Sequence, residues 1–227
     1  MATKVQKKFL AQPVNHFYML LASAAALTFL GVVMVFSAST IHAIDTKGSA
    51  TSIFLRQLLF VVVSLPIAAY LTKVTVAQWN LLARFAFTIT LISLSILLIP
   101  GVGKTVKGNT NWIDLRVIDI QPSEFAKFLM ILWASRLLAR KEGAGRFNVN
   151  VFALLAPGFL IVMVLVMAGR DLGTTSVIAA ILAGMLFVSG IKLRILGWAT
   201  AAAALALAFL IATSDYRAQR FLVFLNP

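Results

Sequence analysis

The 227-residue sequence contains no cysteine and few charged residues. Without cysteine the chain can form neither a disulfide bond nor a thiolate metal site, so the redox compartment cannot be inferred. Charged residues make up 12% of the chain, about half the usual share for a soluble domain. Apolar residues make up 61%. So little polar surface cannot cover a soluble globule of this size, which excludes a soluble enzyme and predicts an integral membrane protein.

Common catalytic signatures are also missing from the sequence. There is no P-loop, no G-x-S-x-G nucleophile elbow and no glycine-rich dinucleotide motif after a strand. The two histidines, His16 and His42, lie near opposite ends of the first apolar segment and cannot form a metal site alone. No cofactor is therefore identified, and the sequence leaves a divalent cation open. Any chemistry must come from carboxylates, cations and aromatic rings.

Acidic residues are scarce: 7 Asp and Glu stand against 20 Lys and Arg, which gives a net charge of +13. In a soluble chain this excess would suggest a nucleic acid partner. Here the basic residues flank apolar segments, as in loops that face anionic lipid headgroups. We therefore expect a membrane surface around the basic residues and no nucleic acid.

The apolar segments predict an all-α, polytopic helical bundle that forms a single membrane domain over residues 1–227. The loop from Arg136 to Arg146 carries four basic residues and one acid, Glu142, whereas most acids fall on the opposite side. This bias predicts a cytoplasmic amino terminus. The seven predicted spans lie near residues 17–36, 53–71, 79–99, 122–138, 151–169, 172–191 and 195–214.

The loop between the third and fourth spans, Gly101–Gln121, contains Trp112 and Asp114 among basic residues. Ile113 and Leu115 alternate with charged neighbours, so one edge of the loop is expected on the membrane and the other in water. Taken alone, Trp112 is more typical of an interfacial anchor. An aromatic ring beside cations can also lie against a sugar next to a phosphate.

The fourth span opens with Gln121 and Pro122, and Pro122 suits a first helical turn. Glu124 and Lys127 follow three residues apart, so they share a helix face and can form an ion pair. The pair could be a structural one at the lipid boundary. A charge inside a span costs about 3 kcal/mol, so we favour the alternative in which both residues face a polar cavity.

Arg170 and Asp171 join the fifth and sixth predicted spans. Taken alone, Asp171 is best explained as the N-cap of the sixth helix. Its carboxylate could also hold Lys127 or orient Arg170. Gly173 and Thr174 are small enough to allow a neighbouring helix to approach closely.

Further cations are predicted on the side of the membrane opposite to the amino terminus, where the Gly101–Gln121 loop and Arg170 are also expected. Arg56 opens the second span, and Arg217 and Arg220 follow the seventh. Each alone would be an ordinary contact with lipid headgroups. Together, we interpret Arg56, Lys127, Arg170 and Arg217 as lining one pocket for a lipid that carries a diphosphate, because several cations bind phosphate oxygens well.

As an ordered set, the motifs resemble the SEDS family (shape, elongation, division and sporulation) over almost the whole chain. The resemblance is closer to the division branch of that family than to the elongation branch. The motifs that carry it are Phe36-Ser37-Ala38-Ser39, Arg56-Gln57, Trp112-Ile113-Asp114-Leu115, Gln121-Pro122-Ser123-Glu124 with Lys127, Asp171-Leu172-Gly173-Thr174, Tyr216-Arg217, Arg220 and Phe224-Leu225-Asn226-Pro227.

The resemblance implies a peptidoglycan glycosyltransferase that polymerises lipid II on the outer face of the bacterial cytoplasmic membrane, including the division septum. It also implies a class B penicillin-binding protein transpeptidase and other division proteins as partners. The implied substrate-binding residues are Arg56, Trp112, Asp114, Gln121, Glu124, Lys127, Arg170, Asp171, Arg217 and Arg220.

The family has about ten helices, and its catalysis is attributed to an aspartate in the outer loop after the seventh. By this resemblance, the catalytic aspartate is expected beyond Pro227, and the present chain is expected to be the amino-terminal part of the enzyme. No catalytic residue is therefore assigned within it.

Two other functions fit the same residues. A lipid II flippase could use the same cavity, because ionisable residues inside a membrane also mark transport paths. It would translocate lipid II without chain growth. A non-catalytic division scaffold would instead depend on the basic loop from Arg140 to Arg146 to recruit its partners.

Overall fold

The computed structural model describes residues 13–46, 50–106, 108–115, 119–143 and 150–212. These residues form seven helices, which confirms the predicted helical membrane fold. The helices are α1 Pro13–Thr46, α2 Ala50–Leu71, α3 Val76–Ile96, α4 Pro122–Gly143, α5 Val151–Ala168, α6 Leu172–Val188 and α7 Leu193–Ala212.

Four stretches are long and apolar enough to cross a membrane: Val14–Ala38, Ile53–Leu71, Val76–Ile96 and Val151–Ala168. The apolar helix α6 is shorter, and α4 carries Glu124, Lys127 and Arg136 within its first fifteen residues. The chain is thus a multi-pass membrane protein in which one helix is unusually polar. The cytoplasmic amino terminus and the single domain over residues 1–227 stay predictions.

The chain divides into two compact units, and the first is Met1–Val74. In this unit α1 and α2 pack against each other. Phe36 and Phe54 meet edge to face with ring centroids 5.0 Å apart, an arrangement that aromatic pairs prefer. The Arg56 guanidinium lies over the Phe60 ring at 5.9 Å from its centroid.

The second unit, Thr75–Pro227, has a hydrophobic core built by α3 to α6. Each of these helices contributes a large side chain that is almost fully buried: Leu94, Met130, Phe159 and Ile178, in that order. Helix α4 contacts α3, α5 and α6. The most polar helix therefore packs against three apolar ones.

Helix α3 begins earlier than its predicted bound at residue 79. Thr75 is its N-cap, and the Gln78 side chain accepts a hydrogen bond from the Thr75 backbone N–H while the Thr75 hydroxyl accepts from the Gln78 N–H. This capping box satisfies two N–H groups that a helix end otherwise leaves unpaired. The apolar run alone did not reveal it.

A small antiparallel sheet, which the sequence analysis did not predict, occupies much of the loop between α3 and α4. Its strands are β1 Gly103–Val106, β2 Asn109–Asp114 and β3 Asp119–Ile120, in the order β1-β2-β3. Lys104 pairs with Trp112, and Asp114 pairs with Asp119. Strands of two to six residues give little periodicity, so the sequence reads as a loop.

The two faces of this sheet differ, because successive side chains in a strand point to opposite faces. Asn111 is buried and Ile113 packs against the hydrophobic core. Trp112 and Asp114 therefore belong to the other face, together with Lys104. Ile113 was expected on the membrane surface, and the structure corrects this: it helps to close the end of the helical bundle.

Gly158 in α5 allows Trp133 of α4 to enter the core. Trp133 stacks on Phe87 with centroids 4.9 Å apart and leans on Phe159 at 6.3 Å. A Cβ atom at residue 158 would lie 2.5 Å from Cη2 of Trp133. The absence of a side chain at Gly158 is thus a packing requirement.

We predict that Gly158→Ala destabilises the protein by about 1–3 kcal/mol, because the rigid indole ring has to move out of a filled core. Thermal unfolding in detergent measures the loss. Gly184→Ala in α6 is the matched control, since a Cβ there meets nothing within 4 Å. It should leave the midpoint unchanged or raise it slightly. Equal midpoints for the two variants would contradict the packing role.

Candidate functional site

The ends of several elements meet at one end of the second unit. The Gly169 carbonyl, just after α5, accepts a hydrogen bond of 3.0 Å from the Thr110 N–H in β2. Asp171, which precedes α6, contacts both β2 and the start of α4. We refer to Asn111, Gln121, Asp171 and Thr174 as the Asp171 network. It gathers polar groups from three segments that are 10 to 60 residues apart in sequence.

Asp171 is the centre of this network and is itself buried. Its Oδ2 accepts hydrogen bonds from Asn111 Nδ2 at 2.6 Å, Gln121 Nε2 at 3.2 Å and Thr174 Oγ1 at 2.8 Å. Its Oδ1 accepts from the Thr174 N–H at 3.0 Å. The predicted N-cap role is confirmed. The sequence suggested that this carboxylate could also hold Lys127. In the structure it accepts hydrogen bonds from Asn111 and Gln121 instead.

The close approach in this region occurs at Gly169 rather than at Gly173, where the sequence suggested that a neighbouring helix could come near. A Cβ atom at Gly169 would lie 2.8 Å from the Thr110 carbonyl oxygen, whereas at Gly173 its nearest neighbour would be 3.6 Å away. Only glycine lets β2 come so near the α5–α6 corner. Gly169, just after α5, therefore makes room for β2, whereas Gly173 in α6 has no such close neighbour.

Arg170 turns the chain between α5 and α6 with a φ of 62°. This left-handed conformation costs a non-glycine residue about 1–2 kcal/mol. The strain is sustained because the Arg170 N–H donates to the Met167 carbonyl at 2.8 Å and the next residue is fixed by the Asp171 network. Its side chain is exposed, and no carboxylate of the described ranges lies within ion-pair distance of it.

Glu124 and Lys127 form the predicted ion pair at the start of α4, with 2.8 Å between Lys127 Nζ and a Glu124 carboxylate oxygen. The Lys127 side chain is 23% exposed and that of Glu124 is 54% exposed. The lysine therefore lies closer to the bundle than its partner does. The pair is a short distance along α4 from Gln121, which reaches Asp171.

The charged face of the sheet carries a second polar cluster. The Lys104 ammonium lies 3.3 Å from Asp114 Oδ2 and 3.0 Å from Asp119 Oδ1. Hydrogen bonds to Asp119, and then to Asp114, raise the pKa of Lys104 above its ordinary value. Stability from a raised lysine pKa is present below the unfolded value and lost only as the pH rises through the folded one. The cluster is thus fully formed at neutral pH.

Three predicted site residues belong to other parts of the chain. Arg56 belongs to the first unit, where its side chain is exposed next to Phe60. Arg217 and Arg220 lie outside the described residues. The shared pocket of Arg56, Lys127, Arg170 and Arg217 stays a prediction.

Sequence reasoning missed three members of the site: Asn111, Thr174 as a hydroxyl donor, and Lys104. Asn111 alternates with Trp112 and shares a strand face with Ile113. Assigning this segment to a strand would therefore have placed Asn111 on the inner face. Its Oδ1 atom and the Ser123 hydroxyl are buried with no hydrogen-bond partner among the described residues. Within the same residues no three His, Asp or Glu side chains cluster as metal ligands.

Comparison with known proteins relates this arrangement to one family. Residues 17–227 match the family described as cell cycle protein, which comprises FtsW, RodA and SpoVE. The chain is 33% identical over 219 residues to a protein of Mycobacterium tuberculosis named probable peptidoglycan glycosyltransferase FtsW, covering 96% of this chain and 42% of that one. An equally named protein of Nitrosococcus halophilus is 36% identical over 214 residues, with 92% and 54% covered.

Solved structures show the same relationship. One is a component of a structure entitled "Structural coordination of polymerization and crosslinking by a peptidoglycan synthase complex", with a TM-score of 0.62, 27% identity and coverage of 87% of this chain and 59% of that one. The rod shape determining protein RodA of Thermus thermophilus gives a TM-score of 0.55 at 26% identity, covering 80% and 58%. The chain spans about half the length of the curated relatives it matches.

The Asp171 network yields a stability prediction. Asp171→Ala should destabilise the protein by about 2–4 kcal/mol, because it leaves buried amide donors unpaired and removes a helix cap. Asp171→Asn should also destabilise it, since one end of the new amide must turn a donor toward another donor. Unfolding midpoints in detergent measure both losses.

Ser123→Ala is the control for this prediction. It removes a buried hydroxyl that has no partner in the described part of the chain, so it should be neutral or mildly stabilising. An Asp171→Ala variant as stable as Ser123→Ala would show that the network is not what holds β2, α4 and α6 together.

Proposed function

Because the chain belongs to the cell cycle protein family of FtsW, RodA and SpoVE, we propose that it takes part in the polymerisation of lipid II by a peptidoglycan glycosyltransferase of cell division. The observation that carries the proposal is the convergence of β2, the start of α4 and the α5–α6 corner on Asp171. Lys127 lies in the first turns of α4 and Arg170 directly precedes Asp171, so both belong to segments that converge there. The FtsW names of its relatives favour division over elongation.

In this proposal Lys127 and Arg170 bind the diphosphate of the lipid-linked sugar. Arg170 is suited to the role because its side chain is exposed and its guanidinium can bind phosphate oxygens in a bidentate manner. Lys127 supplies a point charge that Glu124 orients at 2.8 Å. In glycosyl transfer, the acceptor hydroxyl attacks the sugar carbon while the bond to the diphosphate breaks. Cations then stabilise the departing negative charge.

Asp171 is not the general base in this scheme. Its two oxygens already accept four hydrogen bonds, from Asn111, Gln121 and Thr174. A base must be free to accept a proton from a substrate hydroxyl. We therefore assign Asp171 to positioning and assign the general base to no residue of the described ranges.

Trp112 has a separate place in the proposal. It lies on the charged face of the sheet, beside Lys104 in the adjacent strand. A half-buried ring next to a cation suits the apolar face of a sugar, and the sheet displays it away from the bundle core. From the sequence alone, we also propose Arg56, Arg217 and Arg220 as residues that contact lipid headgroups.

The partner and location follow from the same resemblance. A relative was solved as part of a complex that coordinates polymerisation and crosslinking, and crosslinking of peptidoglycan is transpeptidation. We propose a class B penicillin-binding protein as partner, together with other division proteins, and the division septum as the site of action in the cytoplasmic membrane.

We predict that Lys127→Ala and Arg170→Gln each weaken binding of purified lipid II to the chain in nanodiscs by about tenfold, the loss expected for one charge-assisted contact. Lys192→Ala is the matched control, because this exposed lysine precedes α7 at the other end of α6. Binding isotherms with fluorescent lipid II measure the change. Equal affinity in all four proteins would remove these residues from substrate binding.

The reaction itself is measured by gel separation of glycan strands formed from lipid II, with and without a class B penicillin-binding protein. Glycan strands that diminish in the Lys127→Ala variant support polymerisation. Translocation of labelled lipid II in proteoliposomes without chain growth would establish a flippase instead. Failure of the wild-type chain to bind lipid II would contradict both functions.

A further inference from the structure

The third strand of the sheet is too short to hold its place by backbone pairing alone. β3 contains only Asp119 and Ile120, which pair with Asp114 and Ile113 of β2. Two paired residues fix the backbone of a strand at an entropic cost that so few hydrogen bonds scarcely repay. Another interaction must keep β3 ordered.

Lys104 provides an interaction that crosses the whole sheet. It starts on β1, and its ammonium reaches Asp114 on β2 at 3.3 Å. The same ammonium contacts both carboxylate oxygens of Asp119 on β3, at 3.0 and 3.2 Å. β1 and β3 are not neighbours in the sheet, so among the described residues this side chain links its two edges.

The strands joined by Lys104 carry the groups that reach Asp171. Asn111 lies in β2, and its amide donates to Asp171 at 2.6 Å. Gln121 directly follows β3 and donates to Asp171 at 3.2 Å. If β3 leaves the sheet, Gln121 loses its fixed position at the entrance to α4. If β2 shifts, Asn111 and Trp112 move together, because they are adjacent on one strand.

We infer that Lys104 is a positioning residue that clamps the three strands and so fixes Trp112, Asn111 and Gln121 at the lipid-binding end of the bundle. The clamp acts from the exposed face of the sheet, where the Lys104 and Asp114 side chains are 41% and 50% exposed. An exposed ion pair adds little to global stability. Its effect here is local, because it decides whether a two-residue strand is ordered.

Hydrogen–deuterium exchange of the chain in nanodiscs tests the clamp directly. Lys104→Met removes the charge and keeps an apolar side chain of similar length. Peptides that contain β2 and β3 should then exchange about fivefold faster, because local opening controls the exchange rate. Peptides of α5 and α6 should be unaffected. Lys104→Arg should restore slow exchange, since it keeps the charge and the reach.

Lys192→Met is the matched control, because it removes an exposed lysine at the other end of the unit. It should leave exchange of the sheet unchanged. Asp119→Asn should reproduce the faster exchange of Lys104→Met, as it weakens the contact with β3 while Lys104 stays. Unchanged exchange of β2 and β3 in Lys104→Met would overturn the clamp.

The consequence for lipid II rests on the proposed function, whereas the exchange result does not. Faster exchange together with about fivefold weaker binding of purified lipid II, both reversed by Lys104→Arg, supports the positioning role. Faster exchange with unchanged lipid II affinity would refute that role. If the wild-type chain binds no lipid II, the proposed function fails, and exchange alone still decides whether Lys104 clamps the sheet.

Discussion

A single buried carboxylate organises the end of the second unit. Burying a charged group is costly unless hydrogen bonds satisfy it, and Asp171 meets this condition with amide, hydroxyl and backbone donors. The donors belong to three different elements: β2, the start of α4 and the start of α6. The requirement to satisfy one side chain thereby becomes a geometric constraint on three segments. The strained turn at Arg170 is held by the same network.

The small sheet has one face that packs on the apolar bundle and one that carries charged side chains. Its inner face supplies Ile113 to the core and Asn111 to Asp171. Its outer face carries Trp112 and the charges of Lys104, Asp114 and Asp119. The alternation of a strand allows one short segment to do both. A helix in the same place would need about two turns to present two such faces.

Three charged side chains of α4 also have polar partners. Glu124 and Lys127 pair near its start, and Arg136 donates to the Asn80 carbonyl at 2.6 Å near its other end. Between them the helix packs Ala126, Met130 and Ala134 into the core with no exposure. The cost of a charge in hydrocarbon explains why Glu124, Lys127 and Arg136 each have a polar partner.

Much of this protein was predictable from sequence because the relevant signals are local. Uncharged runs of about twenty residues specify membrane helices by length and hydropathy alone. Asp171 before an apolar run predicts an N-cap, and Glu124 with Lys127 predicts an ion pair within one turn. These predictions need no knowledge of other segments, and the structure confirms them.

What the tertiary structure alone decided is which distant groups meet. The bond from Asn111 to Asp171 spans 60 residues, and the Lys104 clamp depends on a register that three short strands do not encode by periodicity. The same holds for Gly169, whose missing side chain matters only because Thr110 passes 2.8 Å from where a Cβ would be. Local propensity fixes each helix by its own hydrogen bonds, whereas contacts between elements depend on how the whole bundle packs.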